Sequence, residues 1–106
     1  MITFRLSIAI RWPDNDVQEH TLRGRAFVIG RAEGCEIVIE HDAVSRRHAR
    51  LVVTPEGELW VEDARSTSGT FLNDDLLAAP RPFTYGDVLR VGEARIVLLS
   101  APQRIA

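Results

Sequence analysis

The stretch "ITFRLSIAI", residues 2–10, alternates between apolar side chains and side chains that are mostly polar or small. Its apolar set is Ile2, Phe4, Leu6, Ile8 and Ile10. Successive side chains of a β-strand point to opposite faces, so this pattern predicts a strand with one face in the core and the other in water. We therefore take residues 2–10 as the first strand of a β-rich chain.

Short apolar runs continue to the C-terminus, and Pro, Gly, Asn or Asp residues separate them. Strands are predicted near His20 to Leu22, at 26–30, 36–40, 48–54, 58–63 and 70–72, around Leu76 and Leu77, and at 88–91 and 94–100. The prolines of "PRPFTYGD" (80–87) argue against a central strand there, because proline has no N–H to donate. With no convincing helical period, ten or so short strands predict an all-β sandwich or barrel.

Length and composition are typical of one soluble domain. The chain has 106 residues, of which 45% are hydrophobic and 26% charged. We expect a single domain over 1–106, with a core at about 2–100 and a tail, 101–106, that frays because it has no pattern. The apolar run at the N-terminus is short and is interrupted by Arg5, so we expect neither a signal peptide nor a membrane span.

The single cysteine, Cys35, cannot form an internal disulfide and has no partner at zinc-ligand spacing. We therefore expect no metal, no cofactor and a reducing, cytoplasmic location. The formal net charge of −2 argues against attraction of the whole surface to nucleic acid or a membrane, so an anion site would have to be local. We expect neither of those partners, and a monomeric domain.

Every one of the 13 basic residues is arginine. The planar guanidinium suits bidentate contacts with phosphate, although compositional bias of the source genome is the simpler explanation for the absence of lysine.

Four segments between the predicted strands carry unusual polar residues: "GR" (30–31), "VSRRH" (44–48), "DARSTSGT" (63–70) and "LND" (72–74). In this order they resemble the signature of the forkhead-associated (FHA) domain, in which Gly-Arg, Ser-x-x-His and a Thr-x-Gly-Thr segment ending in Asn recur. The resemblance covers at least Phe27 to Val91. It implies an eleven-stranded antiparallel β-sandwich (FHA/SMAD-like) whose apical loops bind phosphothreonine in a partner protein.

By this resemblance the phosphopeptide-binding residues are Arg31, Ser45, Arg46, Thr67, Ser68 and Asn73. A phosphothreonine carries a charge of about −1.5 to −2 and three acceptor oxygens, so its receptor needs several donors and at least one cation. The two arginines would supply the cations, and Ser45 and Thr67 would supply hydroxyl or backbone donors from facing loops. Ser68 stands where the family often has Asn, which predicts a weaker hold on the peptide main chain.

Other motif residues are predicted to support the loops. His48 would brace its loop by hydrogen bonds, and Gly30 and Gly69 would allow close approach or a positive φ. Asp74 stands in place of the glycine that commonly follows Asn73, so the turn there is expected to differ. The remaining arginines of the segment, Arg47 and Arg50, would form a solvated face paired with carboxylates among Glu33, Glu36, Glu40 and Asp42.

We therefore predict a phosphothreonine-peptide-binding module that mediates phosphorylation-dependent interactions in signalling. Its partner would be a threonine-phosphorylated protein, such as a Ser/Thr kinase or its substrate. A phosphate-independent interaction domain on the same scaffold is the alternative that stays open. An enzymatic triad of Ser45, His48 and Asp63 is disfavoured by its spacing and by the lack of a nucleophile elbow, so we expect no enzyme.

Overall fold

A computed structural model describes residues 2–106 and has eleven β-strands in two sheets. The strands are β1 (Phe4–Arg11), β2 (Val17–Gly24), β3 (Ala26–Gly30), β4 (Ile37–Val38), β5 (Ala49–Val53), β6 (Leu59–Asp63), β7 (Thr70–Leu72), β8 (Asp75–Leu76), β9 (Arg81–Pro82), β10 (Leu89–Val91) and β11 (Ala94–Arg104). The six-stranded sheet has the order β2-β1-β11-β10-β7-β8, and the five-stranded sheet has the order β4-β3-β5-β6-β9. The expected all-β, eleven-stranded sandwich is confirmed.

The core lies between the two sheets and is built from alternating residues of the strands. In β1, Phe4, Leu6, Ile8 and Ile10 are buried, as the period of two predicted. Ile2 lies outside the strand and packs on the core only in part. Removing these side chains from water supplies the main stabilisation of the sandwich, and the loops at its ends are left to vary.

Three of the predicted turns join neighbouring antiparallel strands. Residues 55–57 connect β5 to β6, and Gly92-Glu93 connects β10 to β11. Asn73 and Asp74 form the two-residue turn between β7 and β8, with φ values of 52° and 67°. Both residue types tolerate this left-handed region, so the turn forms without the expected glycine.

The pairing of β3 with β4 is parallel, whereas every other strand pair is antiparallel. Ile29 pairs with Ile37 after the chain turns back through residues 31–36, where the Cys35 N–H donates to the Ala32 carbonyl. The tight turn expected at Gly34 therefore leads into a short parallel edge strand. Pro82 occupies an edge strand as well, in β9, where its missing N–H is tolerated.

Residues 101–104, in the tail that was expected to fray, belong to β11. β11 continues to Arg104, with Gln103 opposite Arg5 and Arg104 opposite Phe4. Register shifts on both sides of Ser7 add two residues to β11 relative to β1 and break the alternation that the sequence pattern relied on. β10, the other neighbour of β11, has only three residues and pairs with Ala94, Arg95 and Ile96, so the C-terminal part of β11 pairs with β1 alone.

No helix in residues 2–106 is long and apolar enough to cross a membrane.

A chain that ends at Ser100 should lose about 2–4 kcal/mol of unfolding free energy, because several backbone hydrogen bonds worth about 1 kcal/mol each disappear. Among them are the bonds from the Ile105 N–H to the Thr3 carbonyl and from the Thr3 N–H to the Ala106 carbonyl. Urea unfolding measures the change. The control Gln103→Ala keeps the backbone pairing and should cost less than about 0.5 kcal/mol. Equal stability of the truncated and full chains would show that the tail contributes nothing.

Candidate functional site

Three loops meet at one end of the sandwich: β3–β4 (31–36), β4–β5 (39–48) and β6–β7 (64–69). The Arg31 N–H donates to the Ser45 carbonyl at 3.0 Å, and the Thr67 N–H donates to Ser45 Oγ at 3.0 Å. Residues far apart in the chain are thus brought together. We call Arg31, Ser45, Arg46 and Thr67 the cradle.

Gly30 lets the first loop approach the second closely. A Cβ at this position would lie 2.1 Å from the carbonyl oxygen of Arg46, which no side chain can accept. The close approach allows the Ala32 N–H to donate to the same carbonyl at 3.2 Å. Gly30 is therefore needed to seat Arg31 beside the loop of Ser45, as the sequence predicted.

Both arginines of the cradle are exposed and have free donors. Arg31 Nε donates to the Val44 carbonyl at 3.0 Å, which fixes the guanidinium over the loop and leaves its terminal nitrogens available. Within residues 2–106, no carboxylate forms a salt bridge with Arg31 or with Arg46. Two uncompensated positive charges therefore lie at this rim, which favours an anionic ligand.

Ser45 connects the two facing loops through its side chain. Its Oγ accepts the Thr67 N–H, so the hydroxyl hydrogen stays free to donate to a ligand. Thr67 and Ser68 are exposed next to it, whereas Ser45 itself is half-buried. The arrangement places one oriented hydroxyl donor between two loops.

His48 lies beneath the cradle, fully buried, and holds its loops together. Its Nδ1 accepts the Ser45 N–H at 3.0 Å, so Nε2 carries the ring hydrogen and donates to the Gly69 carbonyl at 2.9 Å. The backbone N–H of His48 also donates to the Ile29 carbonyl at 2.8 Å. The predicted bracing role is confirmed, and a neutral imidazole performs it.

Asp63 organises the third loop, a role that the sequence analysis did not assign. Its carboxylate accepts hydrogen bonds from the Ser66 N–H at 3.0 Å, from Ser66 Oγ at 2.5 Å and from Thr70 Oγ1 at 2.7 Å. Burial raises the pKa of Asp63, but these hydrogen-bond donors favour the carboxylate and bring the pKa below its ordinary value. The sequence feature that could have indicated this role is the serine three residues after Asp63, because an Asp side chain often accepts hydrogen bonds within a turn.

The three residues considered as a triad make other bonds. His48 Nδ1 receives the backbone N–H of Ser45 and Nε2 faces Gly69, so neither ring nitrogen is bonded to the Ser45 hydroxyl or to Asp63. A general base must reach the hydroxyl proton it removes. The geometry of a catalytic relay is therefore not present at these residues.

Asn73 is bonded elsewhere. Its Nδ2 donates to Asp87 Oδ1 at 2.8 Å, and its Oδ1 accepts the Val88 N–H at 2.9 Å. Burial raises the pKa of Asp87, but the Asn73 amide and the donors of Thr84 outweigh it, so the pKa is lowered. The side chain clamps the β7–β8 turn to the start of β10, and in residues 2–106 no hydrogen bond joins it to the cradle. The structure thus gives Asn73 a supporting role, and its contact with the peptide stays a prediction.

The predicted charged face exists, but with a different partner. Arg50 Nε lies 3.2 Å from Oε1 of Glu62, its cross-strand neighbour. The predicted partners Glu33, Glu36, Glu40 and Asp42 do not take part in this pair. Arg47 is exposed. Directly opposite residues on neighbouring strands pair more readily than residues of a flanking loop.

The family model of the FHA domain matches residues 27–92, which is more than half of the chain. The chain belongs to the FHA family. The match contains Arg31, Ser45, His48 and Gly69.

This FHA domain is similar to curated proteins of otherwise different kinds. It is 38% identical over 79 residues to the FHA domain-containing protein FhaB of Mycolicibacterium smegmatis, covering 74% of this chain and 50% of that protein. It is 35% identical over 100 residues to human kanadaptin, covering 78% of this chain and 13% of that protein. The chain thus spans about half of the length of FhaB and a smaller share of kanadaptin.

Solved FHA structures share the fold. The FHA domain of Chlamydia trachomatis CT664 superposes with a TM-score of 0.81 at 19% identity, covering 91% of this chain and 97% of that one. A structure described as an analysis of phosphothreonine-dependent FHA domain interactions gives a TM-score of 0.77 at 26% identity, covering 92% and 99%. The FhaA FHA domain in complex with the intracellular domain of Rv3910 gives 0.74 at 25% identity, covering 86% and 98%.

In this FHA domain, His48→Ala should lower the unfolding free energy by about 2–4 kcal/mol, because it leaves a cavity and two polar groups without partners. Urea unfolding measures the loss. The control His41→Ala removes a half-buried imidazole that accepts only the Ala43 N–H and faces Glu93, and it should cost less than about 1 kcal/mol. Equal losses in the two variants would contradict the bracing role.

Acid should weaken the domain through Asp63 and Asp87. Their pKa values are lowered in the folded state, so their stabilisation is complete above the unfolded-state value of about 4 and disappears as pH falls through the folded-state values. Asp63→Asn should cost about 1–3 kcal/mol at neutral pH and make the acid-induced loss smaller. Urea unfolding at stepped pH measures both effects. The exposed control Asp42→Asn should change neither, and an unaltered pH profile for Asp63→Asn would contradict this explanation.

Proposed function

We propose that this FHA domain binds a phosphothreonine-containing segment of a partner protein in the cradle. The observation that carries the proposal is the convergence of the unpaired cations Arg31 and Arg46 with the Ser45 hydroxyl, which the opposite loop holds in place. A phosphate ester with a charge of about −2 needs this set of donors. Thr67 and Ser68, exposed on the opposite loop, would contact the ester and the peptide main chain.

The relatives support this assignment. One FHA structure at 26% identity is described by its phosphothreonine-dependent interactions, and another at 25% identity is a complex with the intracellular domain of a second protein. The partner of the present domain would accordingly be a phosphoprotein, such as a Ser/Thr kinase or its substrate. The domain would act as a non-catalytic interaction module in the cytoplasm.

The affinity follows from a balance of opposing terms. Charge-assisted hydrogen bonds contribute about 1.5–3 kcal/mol each, and desolvation and the ordering of the peptide offset much of the sum. Several such bonds leave about −8 kcal/mol, which corresponds to a micromolar dissociation constant. Because the phosphate accepts most of the bonds, its removal should abolish useful binding.

Arg31→Ala should weaken the binding of a phosphothreonine peptide at least about tenfold, since it removes a charged donor from the ester. Fluorescence anisotropy with paired phosphorylated and unmodified peptides from an oriented library measures the change. The control Arg50→Ala removes an arginine that pairs with Glu62 on the strands and should leave the affinity unchanged. Equal affinity for the two peptides would favour phosphate-independent docking, and full affinity in Arg31→Ala would remove Arg31 from the site.

Ser45→Ala should also weaken phosphopeptide binding at least about tenfold, because it removes both the hydroxyl donor and the acceptor that holds the Thr67 N–H. Ser68→Ala serves as the control: its exposed hydroxyl is assigned only to the peptide main chain, so the loss should be smaller. Anisotropy gives the affinities, and circular dichroism shows whether both variants stay folded. A larger loss in Ser68→Ala would reverse the two roles.

A further inference from the structure

The outer face of the six-stranded sheet carries a row of three arginines on neighbouring strands. Arg11 of β1 lies opposite Arg95 of β11, and Arg95 lies opposite Arg90 of β10. Neighbouring strands are about 4.8 Å apart, so the row spans about 10 Å. We call these residues the arginine row; none of them belongs to the cradle.

The positive charge of the arginine row is not neutralised. Like charges directly opposite one another destabilise a sheet. The carboxylates that border the row are Glu19, on β2 opposite Ala9, and Asp74 and Glu93, in the neighbouring turns. Across residues 2–106, none of them forms a salt bridge with the row, and Glu93 lies 3.7 Å from His41 instead. Arg11 and Arg95 are exposed, Arg90 is half-buried against Phe71, and none of the three forms a salt bridge within the described part of the chain, so the row is open to an anionic partner.

Two shallow grooves make the surface around the arginine row partly charged and partly apolar. One, of about 530 Å³, lies between the row and the β1–β2 and β10–β11 turns, with Trp12 and Gly92 in its wall. The other, of about 300 Å³, is lined by Arg11 and Arg95 together with the apolar Ala9, Val17, Val88 and Val97. A partner that fits both grooves would carry carboxylates next to apolar side chains.

The Phe71 ring lies between the arginine row and the loop of Thr67. The guanidinium carbon of Arg90 lies 4.2 Å from the centre of the Phe71 ring. A Cβ placed on Gly69 would lie 3.5 Å from that ring, and Gly69 is two residues beyond Thr67. A partner held in the cradle can therefore continue past Phe71 onto the row without leaving the surface.

We propose that the arginine row binds an acidic segment of a protein partner, one in which Glu or Asp residues alternate with apolar ones. Separate carboxylates match a spread row of bidentate donors, and the apolar residues match the valine-lined groove. The inference goes beyond phosphothreonine binding and does not require it, since the two surfaces share no residue. Where the acidic segment flanks a phosphothreonine, both surfaces engage one partner and their affinities combine.

The first test titrates the ¹⁵N-labelled chain with an unphosphorylated peptide of alternating Glu-Glu and Leu residues, and with its Gln-Gln counterpart. The acidic peptide should shift the amide signals of Arg11, Arg90 and Arg95, and the Gln peptide should not. The double variant Arg11→Gln, Arg95→Gln should bind the acidic peptide about fivefold more weakly, as expected for the loss of two exposed ion pairs. The double variant should unfold at an equal or higher urea concentration, because a like-charge contact is removed.

The matched control is Arg5→Gln with Arg23→Gln. These arginines also face each other across β1 and β2, at the other end of the same sheet, so the same charge is lost. This control should change the affinity less than twofold. Equal weakening in the two double variants, or equal binding of the Gln peptide, would overturn the proposal. So would an oligonucleotide or a phosphatidylserine vesicle that occupies the row when the acidic peptide does not.

A second measurement separates this inference from the proposed function. A short phosphothreonine peptide with neutral flanks should bind the wild type and the Arg11→Gln, Arg95→Gln variant equally. A Glu-Leu extension on one side of the phosphothreonine should raise the affinity for the wild type only. If no phosphopeptide binds but the acidic peptide does, only the proposed role of the cradle is contradicted. If phosphopeptides bind but the acidic peptide does not, only the proposed role of the arginine row is contradicted.

Discussion

The arrangement of the cradle loops depends on one buried imidazole. His48 accepts the Ser45 N–H and donates to the Gly69 carbonyl, so a single ring joins the loop of the serine to the loop of Thr67. Ser45 Oγ adds a second connection by accepting the Thr67 N–H. Because both polar atoms of the ring are satisfied in a fully buried position, the loops lose little further freedom when a ligand arrives. The preorganised cradle is a consequence of this bridge.

The same end of the sandwich carries two kinds of cationic surface, which differ in their form. In the cradle, loops from different strands bring donors together around one point, and this suits a compact, highly charged ester. On the sheet face, Arg11, Arg95 and Arg90 are spaced by the strands themselves, and this suits separate carboxylates along a peptide. The net charge of −2 does not indicate either surface, because it is a sum over the whole chain.

Sequence alone predicted the strands and the loop motifs well, for reasons that individual residues make clear. The alternation in β1 and the turns at Pro55–Gly57 and Gly92-Glu93 are local signals, and they were confirmed. The pairing of β11 with β1 as far as Arg104 includes two register shifts, which no local sequence pattern contains. The clamp formed by Asn73 and the loop-organising role of Asp63 depend on which donors lie nearby in space, so a motif could name these residues but not their partners.

A long-range ¹H–¹⁵N NMR spectrum of the histidine rings at neutral pH tests the His48 bridge between the two loops. We expect a neutral His48, with its hydrogen on Nε2 and with Nδ1 accepting a hydrogen bond from the Ser45 amide. Observation of the Nδ1–H tautomer, or of averaged signals from a freely exchanging ring, would contradict this expectation, because neither state can join the two loops in this way.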